Sequence, residues 1–178
     1  MAEDFKSLMG ELIQDAYSAE TQLLEALPEM ADAASTPALK QALQEHLQVT
    51  QRQVERLERV AEMAGCEVEG EDCEAMEGLV AEAEEIVDEH EEGPVRDAAL
   101  ISAAQKVEHY EIATYGTLAA MAKAAGLNDA AALLAQTMQE EKDADELLTR
   151  IAEQQVNPAA LRGAPANDPA RRSKGSAA

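Results

Sequence analysis

Three breaks of very unequal length divide this chain into four long helical stretches, and that inequality constrains the fold more than any other feature. Only a few residues join the first stretch to the second and the third to the fourth, so each pair folds back as an antiparallel hairpin. About 28 residues, Cys66 to Gly93, separate the two pairs, whereas most connections in compact domains are far shorter. The sequence therefore predicts two helical hairpins joined by one long crossover.

Residues with strong preferences for helix ends mark the boundaries. Thr36-Pro37 is typical of a cap followed by the first helical residue, and Asn128 is predicted to cap the last helix. Gly65 and Gly126 are typical of helix ends. The crossover contains a further amphipathic segment, which predicts a short helix. The predicted helices cover approximately residues 4–33, 37–64, 74–87, 95–125 and 128–154.

The composition favours helices over sheets. Ala, Leu, Glu and Gln dominate, and the chain has one Phe, three Tyr and no Trp, whereas sheet cores depend on β-branched and aromatic residues. We therefore predict an all-α fold: a ferritin-like four-helix bundle with two helical hairpins and a long crossover containing a short fifth helix. Residues 1–156 are predicted to form this bundle. Residues 157–178, rich in Ala, Pro and Arg without an apolar period, are predicted to be a disordered tail.

The charge excludes some classes of partner. The formal net charge is −22, and the tail is basic, so the bundle itself is more acidic still. Such a surface repels nucleic acid and anionic membranes. The chain has no apolar run of the roughly 18–20 residues that cross a bilayer and does not begin like a signal peptide, so we expect a cytoplasmic protein. Cys66 and Cys73 are then expected to remain thiols.

Each of the four long helices places an acid or an imidazole near one height. With a rise of about 1.5 Å per residue, Glu111 and Glu141 lie about 21 Å and 20 Å from the turn that joins their helices. Glu20 lies about 20 Å from the other turn, and His46 about 14 Å from it. Glu108 shares a face with Glu111, because residues three apart are neighbours on a helix.

This arrangement resembles the ligands of a dinuclear metal centre. Iron or manganese pairs take hard oxygen donors and one or two imidazoles, and four-helix bundles supply them as a Glu from two helices and Glu-x-x-His from two others. The chain has no Glu-x-x-His, and Val49 and Ala144 stand three residues after His46 and Glu141. A variant ligand set and a bundle without metal therefore both remain open. The candidate ligands are Glu20, His46, Glu108, Glu111, Glu141 and Asp145.

Several longer segments resemble the YciE/YciF ferritin-like family over about residues 4–156. They are Asp15-Ala-Tyr-Ser-Ala-Glu20, Ala75-Met-Glu-Gly-Leu79, Arg96-Asp-Ala-Ala-Leu-Ile101, Ala104-Gln-Lys-Val-Glu-His-Tyr-Glu-Ile-Ala113, Tyr115-Gly-Thr-Leu118 and Glu140-Glu-Lys142. The resemblance implies a rubrerythrin-like bundle, a homodimer, a di-iron centre and a connection with stress responses. It supports Glu20, His46, Glu108, Glu111 and Glu141 as ligands, with Asp145 as a further candidate.

Three functions are compatible with these features. The first is a protein with two iron ions, or manganese, that handles O₂, peroxide or iron in stress, a class that includes di-iron oxidoreductases and peroxidases. It would need an external electron donor, since the chain has no rubredoxin-like cysteine pairs. The second is a metal-free structural or partner-binding bundle, which Val49 and Ala144 favour. The third, a storage cage of the ferritin kind, fits the long crossover and tail least well.

Overall fold

The protein is described by a computed structural model that covers residues 3–163. Its helices are α1 (Glu3–Ala33), α2 (Pro37–Ala64), α3 (Glu74–Glu89), α4 (Pro94–Ala124), α5 (Asn128–Ile151) and α6 (Asn157–Gly163), with a π-helical turn, Ala152–Val156, between α5 and α6. None of the helices in this range combines the length and the apolarity that a membrane crossing requires.

The predicted all-α bundle is confirmed. Helices α1 and α2 form one antiparallel hairpin, α4 and α5 form the other, and α3 lies in the crossover against α1 and α4. The described residues contain no strand. Gly65 ends α2 with a left-handed conformation, φ 68°, as predicted for a residue without a Cβ.

Three local predictions differ from the structure. Residue Leu127, not Asn128, occupies the cap position of α5. Thr36 is at the cap of α2, but its side chain does not cap the helix. Residues 157–163, which we predicted as the start of the tail, continue the chain as α6, because α6 packs against α4 and the π-helical turn. The rest of the predicted tail lies outside the described residues.

Apolar side chains fill two separate cores, one in each half of the bundle. One core includes Leu27, Leu39, Ile101 and Leu148, and the other includes Ile13, Val60, Leu118, Ala122 and Leu134. Together with the buried polar residues between them, they form series at intervals of seven along each helix, such as residues 13/20/27 on α1 and 134/141/148 on α5, which keeps each series on an inward seam. The middle position of each seam is polar and buried: Glu20 on α1, His46 and Gln53 on α2, Glu108 and Glu111 on α4, and Glu141 on α5.

Two adjacent residues at the start of α4 connect the hairpins. The carboxylate of Asp97, fully buried, accepts hydrogen bonds from Ser35 N (2.8 Å), Thr36 N (2.7 Å) and Thr36 Oγ1 (2.6 Å). Arg96 Nη2 donates to the carbonyl of Ala33 at the end of α1 (2.7 Å). Unpaired backbone groups at helix ends need such partners, so Arg96 and Asp97 together complete the turn of the first hairpin.

The crossover is attached to the bundle through Cys73, the cap residue of α3. Its backbone N–H donates to Ser18 Oγ (2.9 Å), and its sulfur accepts from Met76 N (3.5 Å) and lies 3.0 Å from Tyr110 Oη. Tyr110 in turn donates to Asp15 Oδ2 (2.6 Å). Both cysteines are free thiols in the structure. These contacts hold the start of α3 against α1 and α4.

Candidate metal centre

Four of the six candidate ligands meet in the polar layer between the two cores. His46, Glu108, Glu111 and Glu141 each offer one ligand atom, and these four atoms all lie within 4.8 Å of one another. All four residues are buried. The spacing is that of donors around a single point, since metal–ligand bonds of about 2.0–2.3 Å bring neighbouring ligand atoms to within a few ångströms.

Glu20 borders this group from α1. Its side chain is fully buried, and its Oε1 accepts a hydrogen bond from the hydroxyl of Tyr115. The carboxyl group of Glu111 is its neighbour, since the charge of Glu20 raises the pKa of Glu111. The layer therefore contains four carboxyl groups and one imidazole, contributed by four helices.

Asp145 does not join the group. Its carboxylate accepts from Gln105 Nε2 (2.8 Å) and lies 3.5 Å from His109 Nε2 near the surface. Asp145 is four residues beyond Glu141, which places it about 6 Å further along α5. A polar contact between α4 and α5 is therefore the role that the structure gives this residue.

Burial makes His46 a neutral ligand. It lowers the pKa of His46 to about 4, an effect that nearby Glu140 partly opposes. The imidazole Nε2 lies 3.6 Å from Glu108 Oε1 and 3.5 Å from Glu141 Oε2. Because an imidazole with this pKa carries no charge at neutral pH, these contacts are not ion pairs, and the nitrogen lone pair is available to a metal.

The same burial favours the protonated forms of the carboxyl groups. Desolvation raises the pKa of Glu20 to about 8, with a further increase from the charge of Glu141 and a decrease from the Tyr115 hydrogen bond. Desolvation raises the pKa of Glu141 to about 7, and it raises the pKa values of Glu108 and Glu111 well above their usual range, helped by the other carboxylates. Without a cation, the layer can hold few negative charges at neutral pH.

The nearest arginine does not neutralise the layer. Arg56 is buried, but its guanidinium forms a bidentate ion pair with Glu140, with Nη1–Oε2 at 2.7 Å and Nη2–Oε1 at 3.0 Å. Lys142, which follows Glu141, is exposed. The charge of Arg56 favours the ionised forms of Glu20 and Glu141, but desolvation outweighs it and the pKa of both groups remains raised. Most of the compensation must therefore come from protons or from metal ions.

Unpartnered atoms show that the residues present fit a metal centre. Six buried ligand atoms have no hydrogen-bond partner among the described residues: Glu20 Oε2, His46 Nε2, Glu108 Oε2, both oxygens of Glu111, and Glu141 Oε2. Buried polar groups are nearly always paired, and each exception needs an explanation. Hard oxygen donors with one imidazole are the set that iron and manganese accept, so metal ions would supply the missing partners.

Sequence reasoning missed the residues that contact these ligands. Gln53 Nε2 donates to Glu141 Oε1 and, at 3.2 Å, to Glu140 Oε2. Gln53 lies seven residues after His46, and Tyr115 lies seven residues after Glu108. A search for buried polar groups at this interval, and not only for acids and imidazoles, would have found both.

We predict that the metal-free protein loses stability as the pH rises from about 6.5 to 8.5. The folded chain keeps protons on Glu20 and Glu141 up to pKa values of about 8 and 7, whereas the unfolded chain releases them near pH 4.5. The folded state thus binds more protons in this interval, and the free energy of unfolding falls with pH. Below pH 6.5 the lowered pKa of His46 has the opposite effect: its contribution to the free energy of unfolding rises with pH.

Circular dichroism melting curves of chelator-treated protein test this. Glu20→Gln should flatten the pH dependence, because it removes one of the titrating groups, whereas Glu58→Gln, at an exposed position of α2, should leave it unchanged. A melting temperature that is constant or rising between pH 6.5 and 8.5 would contradict the prediction.

The fold and the layer together define an all-helical bundle with a buried histidine and carboxylate cluster suited to metal ions. A family model described as a domain of unknown function, DUF892, matches residues 5–161. Protein YciF of Escherichia coli strain K12 is 50% identical over 147 residues, which cover 82% of this chain and 89% of YciF. The chain therefore belongs to this family, the YciF-like proteins.

Solved structures agree with this assignment. The crystal structure of the E. coli stress protein YciF matches with a TM-score of 0.83 at 47% identity, over 88% of this chain and 99% of that one. YcfI of Rhodopseudomonas palustris matches with a TM-score of 0.79 at 40% identity, over 84% of this chain and 97% of YcfI. Its description proposes that it is a structural protein. A Xanthomonas campestris pv. campestris protein, at 22% identity and a TM-score of 0.69 over 89% and 97%, shares the fold.

Proposed function

We propose that this protein binds two divalent metal ions, iron or manganese, in the polar layer, and that the loaded protein handles O₂, peroxide or iron under stress. The ligands would be Glu20, His46, Glu108, Glu111 and Glu141. The observation that supports the proposal most strongly is the set of six unpartnered, buried ligand atoms that these five residues present.

Charge balance favours two ions over one. Four carboxylates carry four negative charges, and His46 is neutral at the pH of a cell. One divalent cation would leave two carboxyl groups that must keep their protons in the dry layer, whereas two divalent cations would balance all four carboxylates. Glu111 neighbours each of the other three carboxyl groups and has both oxygens unpartnered, so it would offer two oxygen donors to the centre.

The chain's own residues provide a dry, preformed enclosure. The apolar cores above and below the layer exclude water, and the contacts of Tyr115 and Gln53 hold Glu20 and Glu141 in place. When bound, a pair of iron or manganese ions supplies redox chemistry toward O₂ or peroxide. The carboxyl groups release their protons to solvent as the ions bind, so metal uptake should be accompanied by acidification and should weaken below neutral pH.

A role in stress rests on the relatives. The E. coli protein that this chain matches is described as a stress protein, and redox handling of O₂ or peroxide by a buried metal pair is an activity that such a protein could use. The described cysteines are two isolated thiols, so electrons would come from an external donor.

A second candidate function is that of a metal-free structural bundle. Val49 and Ala144 stand where acids or imidazoles would complete the usual ligand set, and the R. palustris relative is described in terms of a structural role. Under this function the buried carboxyl groups would remain protonated and share hydrogen bonds with one another.

Metal analysis distinguishes the two functions. Protein purified from cells supplied with iron or manganese is expected to contain about two metal ions per chain, as a dinuclear centre requires. Removal of the metal by a chelator should lower the melting temperature at pH 8, because it leaves the carboxyl groups uncompensated. Protein that contains no metal after growth in either supplement, and that is not stabilised by added Mn²⁺ or Fe²⁺, would support the structural role and contradict the metal centre.

A further inference from the structure

The oxygens of the four buried carboxyl groups are not equivalent. Glu20 and Glu141 each have one oxygen, Oε1, held by a donor of the protein: the Tyr115 hydroxyl for Glu20 and the Gln53 amide for Glu141. Their other oxygens, Oε2, have no partner among the described residues, and neither oxygen of Glu111 has one. In Glu20 and Glu141, one carboxylate oxygen is therefore hydrogen-bonded to a side chain of the protein, and the other oxygen has no such partner.

Gln53 is itself fixed by a chain of contacts between α2 and α5. Its amide also donates to Glu140 Oε2 at 3.2 Å. Glu140 is held by the two guanidinium bonds of Arg56, and Arg56 Nη1 donates to Thr137 Oγ1 at 2.5 Å. Gln53 and Thr137 are almost completely buried, and Glu140 between them is half-buried. The Gln53 amide therefore has little freedom to leave Glu141.

Tyr115 plays the corresponding part for Glu20. The ring belongs to the apolar core of one half of the bundle, and only the hydroxyl reaches the polar layer. A tyrosine whose ring is packed on all sides and whose hydroxyl donates to a carboxylate fixes that carboxylate's rotamer. Glu20 is thereby held by a residue of α4, and Glu141 by a residue of α2.

Hydrogen bonds to a ligand's second atom commonly set its orientation and its affinity for metal. We propose that Gln53 and Tyr115 are positioning residues that restrict Glu141 and Glu20 to one metal-facing oxygen each, and that they thereby set the affinity of the centre for divalent cations. This inference rests on the proposed function, and it assigns roles to two residues that are not ligands themselves.

The test uses Mn²⁺ alone, added to chelator-treated full-length protein, with the free ion followed by electron paramagnetic resonance. Gln53→Met keeps the length of the side chain and removes the amide, and Tyr115→Phe removes only the hydroxyl. Each variant is expected to bind Mn²⁺ about 10- to 100-fold more weakly than the wild type, the usual effect of losing such a contact. The matched controls are Gln51→Met, on the exposed side of α2, and Tyr17→Phe, at a half-buried position of α1.

A second readout separates positioning from a structural role. Co²⁺ absorption reports ligand number and geometry, so freeing the second oxygen of Glu141 or Glu20 should change the spectrum of the Co²⁺-loaded variant. Circular dichroism melting of the metal-free variants measures the fold. A variant that melts at a lower temperature, yet retains wild-type Mn²⁺ affinity and the wild-type Co²⁺ spectrum, would overturn the assignment for that residue. Wild-type protein that binds no Mn²⁺, Fe²⁺ or Co²⁺ would instead overturn the proposed function, and this inference with it.

Discussion

Protein carrying Glu111→Gln is expected to contain neither of the two metal ions that we propose for the wild type. Glu111 is the carboxyl group that neighbours the other three, and both its oxygens face the layer without a partner. An amide at this position keeps the volume but brings one oxygen donor instead of two and no charge, so the three remaining carboxylates would not balance two divalent ions. Glu20→Ala and Glu141→Ala are expected to release metal as well, and elemental analysis measures all three.

This loss should not result from unfolding. In the metal-free state the uncharged amide of the Glu111→Gln variant replaces a group that burial disfavours in its charged form, so at pH 8 the metal-free variant should melt no lower than the metal-free wild type. Glu58→Gln changes the charge equally at an exposed position of α2 and should keep about two ions per chain, the content of a dinuclear centre. A Glu111→Gln protein with the metal content of the wild type would contradict the proposed ligand set.

The largest effect on stability is expected from Asp97→Ala. This substitution leaves the backbone N–H groups of Ser35 and Thr36 without the carboxylate that accepts from them at 2.8 and 2.7 Å. Buried donors left unpaired cost about 1–3 kcal/mol each. Because both groups are only partly buried, the free energy of unfolding should fall by about 2–4 kcal/mol, toward the lower end for two such donors. Chemical denaturation of the metal-free protein, followed by circular dichroism, measures the change.

Two further variants make this result specific. Asp97→Asn keeps one oxygen acceptor, so its free energy of unfolding should lie between those of the wild type and Asp97→Ala. Asp129, also in the first turn of a helix but exposed, offers the matched control: Asp129→Ala should cost less than about 1 kcal/mol, the size of a helix-dipole interaction. If Asp97→Ala and Asp129→Ala lowered the free energy of unfolding equally, the buried contacts of Asp97 between the hairpins would contribute no more to stability than an exposed charge at a helix start.

The fold was predictable because local signals and helix lengths determine it. The long crossover between Gly65 and Pro94 distinguished two hairpins from a simple up-and-down bundle. The height of each residue along its helix brought Glu111 and Glu141 to one level, which is how the structure places them. Rise per residue is the same in every helix, so such levels can be read without knowledge of tertiary contacts.

The features that the sequence did not predict depend on contacts between residues far apart in the chain. Thr36 was expected to cap α2 with its hydroxyl, but that hydroxyl donates to Asp97, which lies 61 residues further on. Asp145 was expected among the ligands, but its position along α5 and its contact with Gln105 of α4 take it out of the layer. The donors to Glu20 and Glu141 belong to other helices, and the interval of seven residues that marks them as inward-facing does not specify which carboxyl group each one contacts.

The separation of the two apolar cores by one polar layer has a consequence for how this bundle can change. Each end buries its own leucines and can drive folding without the middle, so substitutions in the layer should alter what the protein binds far more than whether it folds. New sets of metal ligands could therefore be introduced at the central positions of the seams. The apolar cores at the two ends, which determine how the helices pack, would remain unchanged.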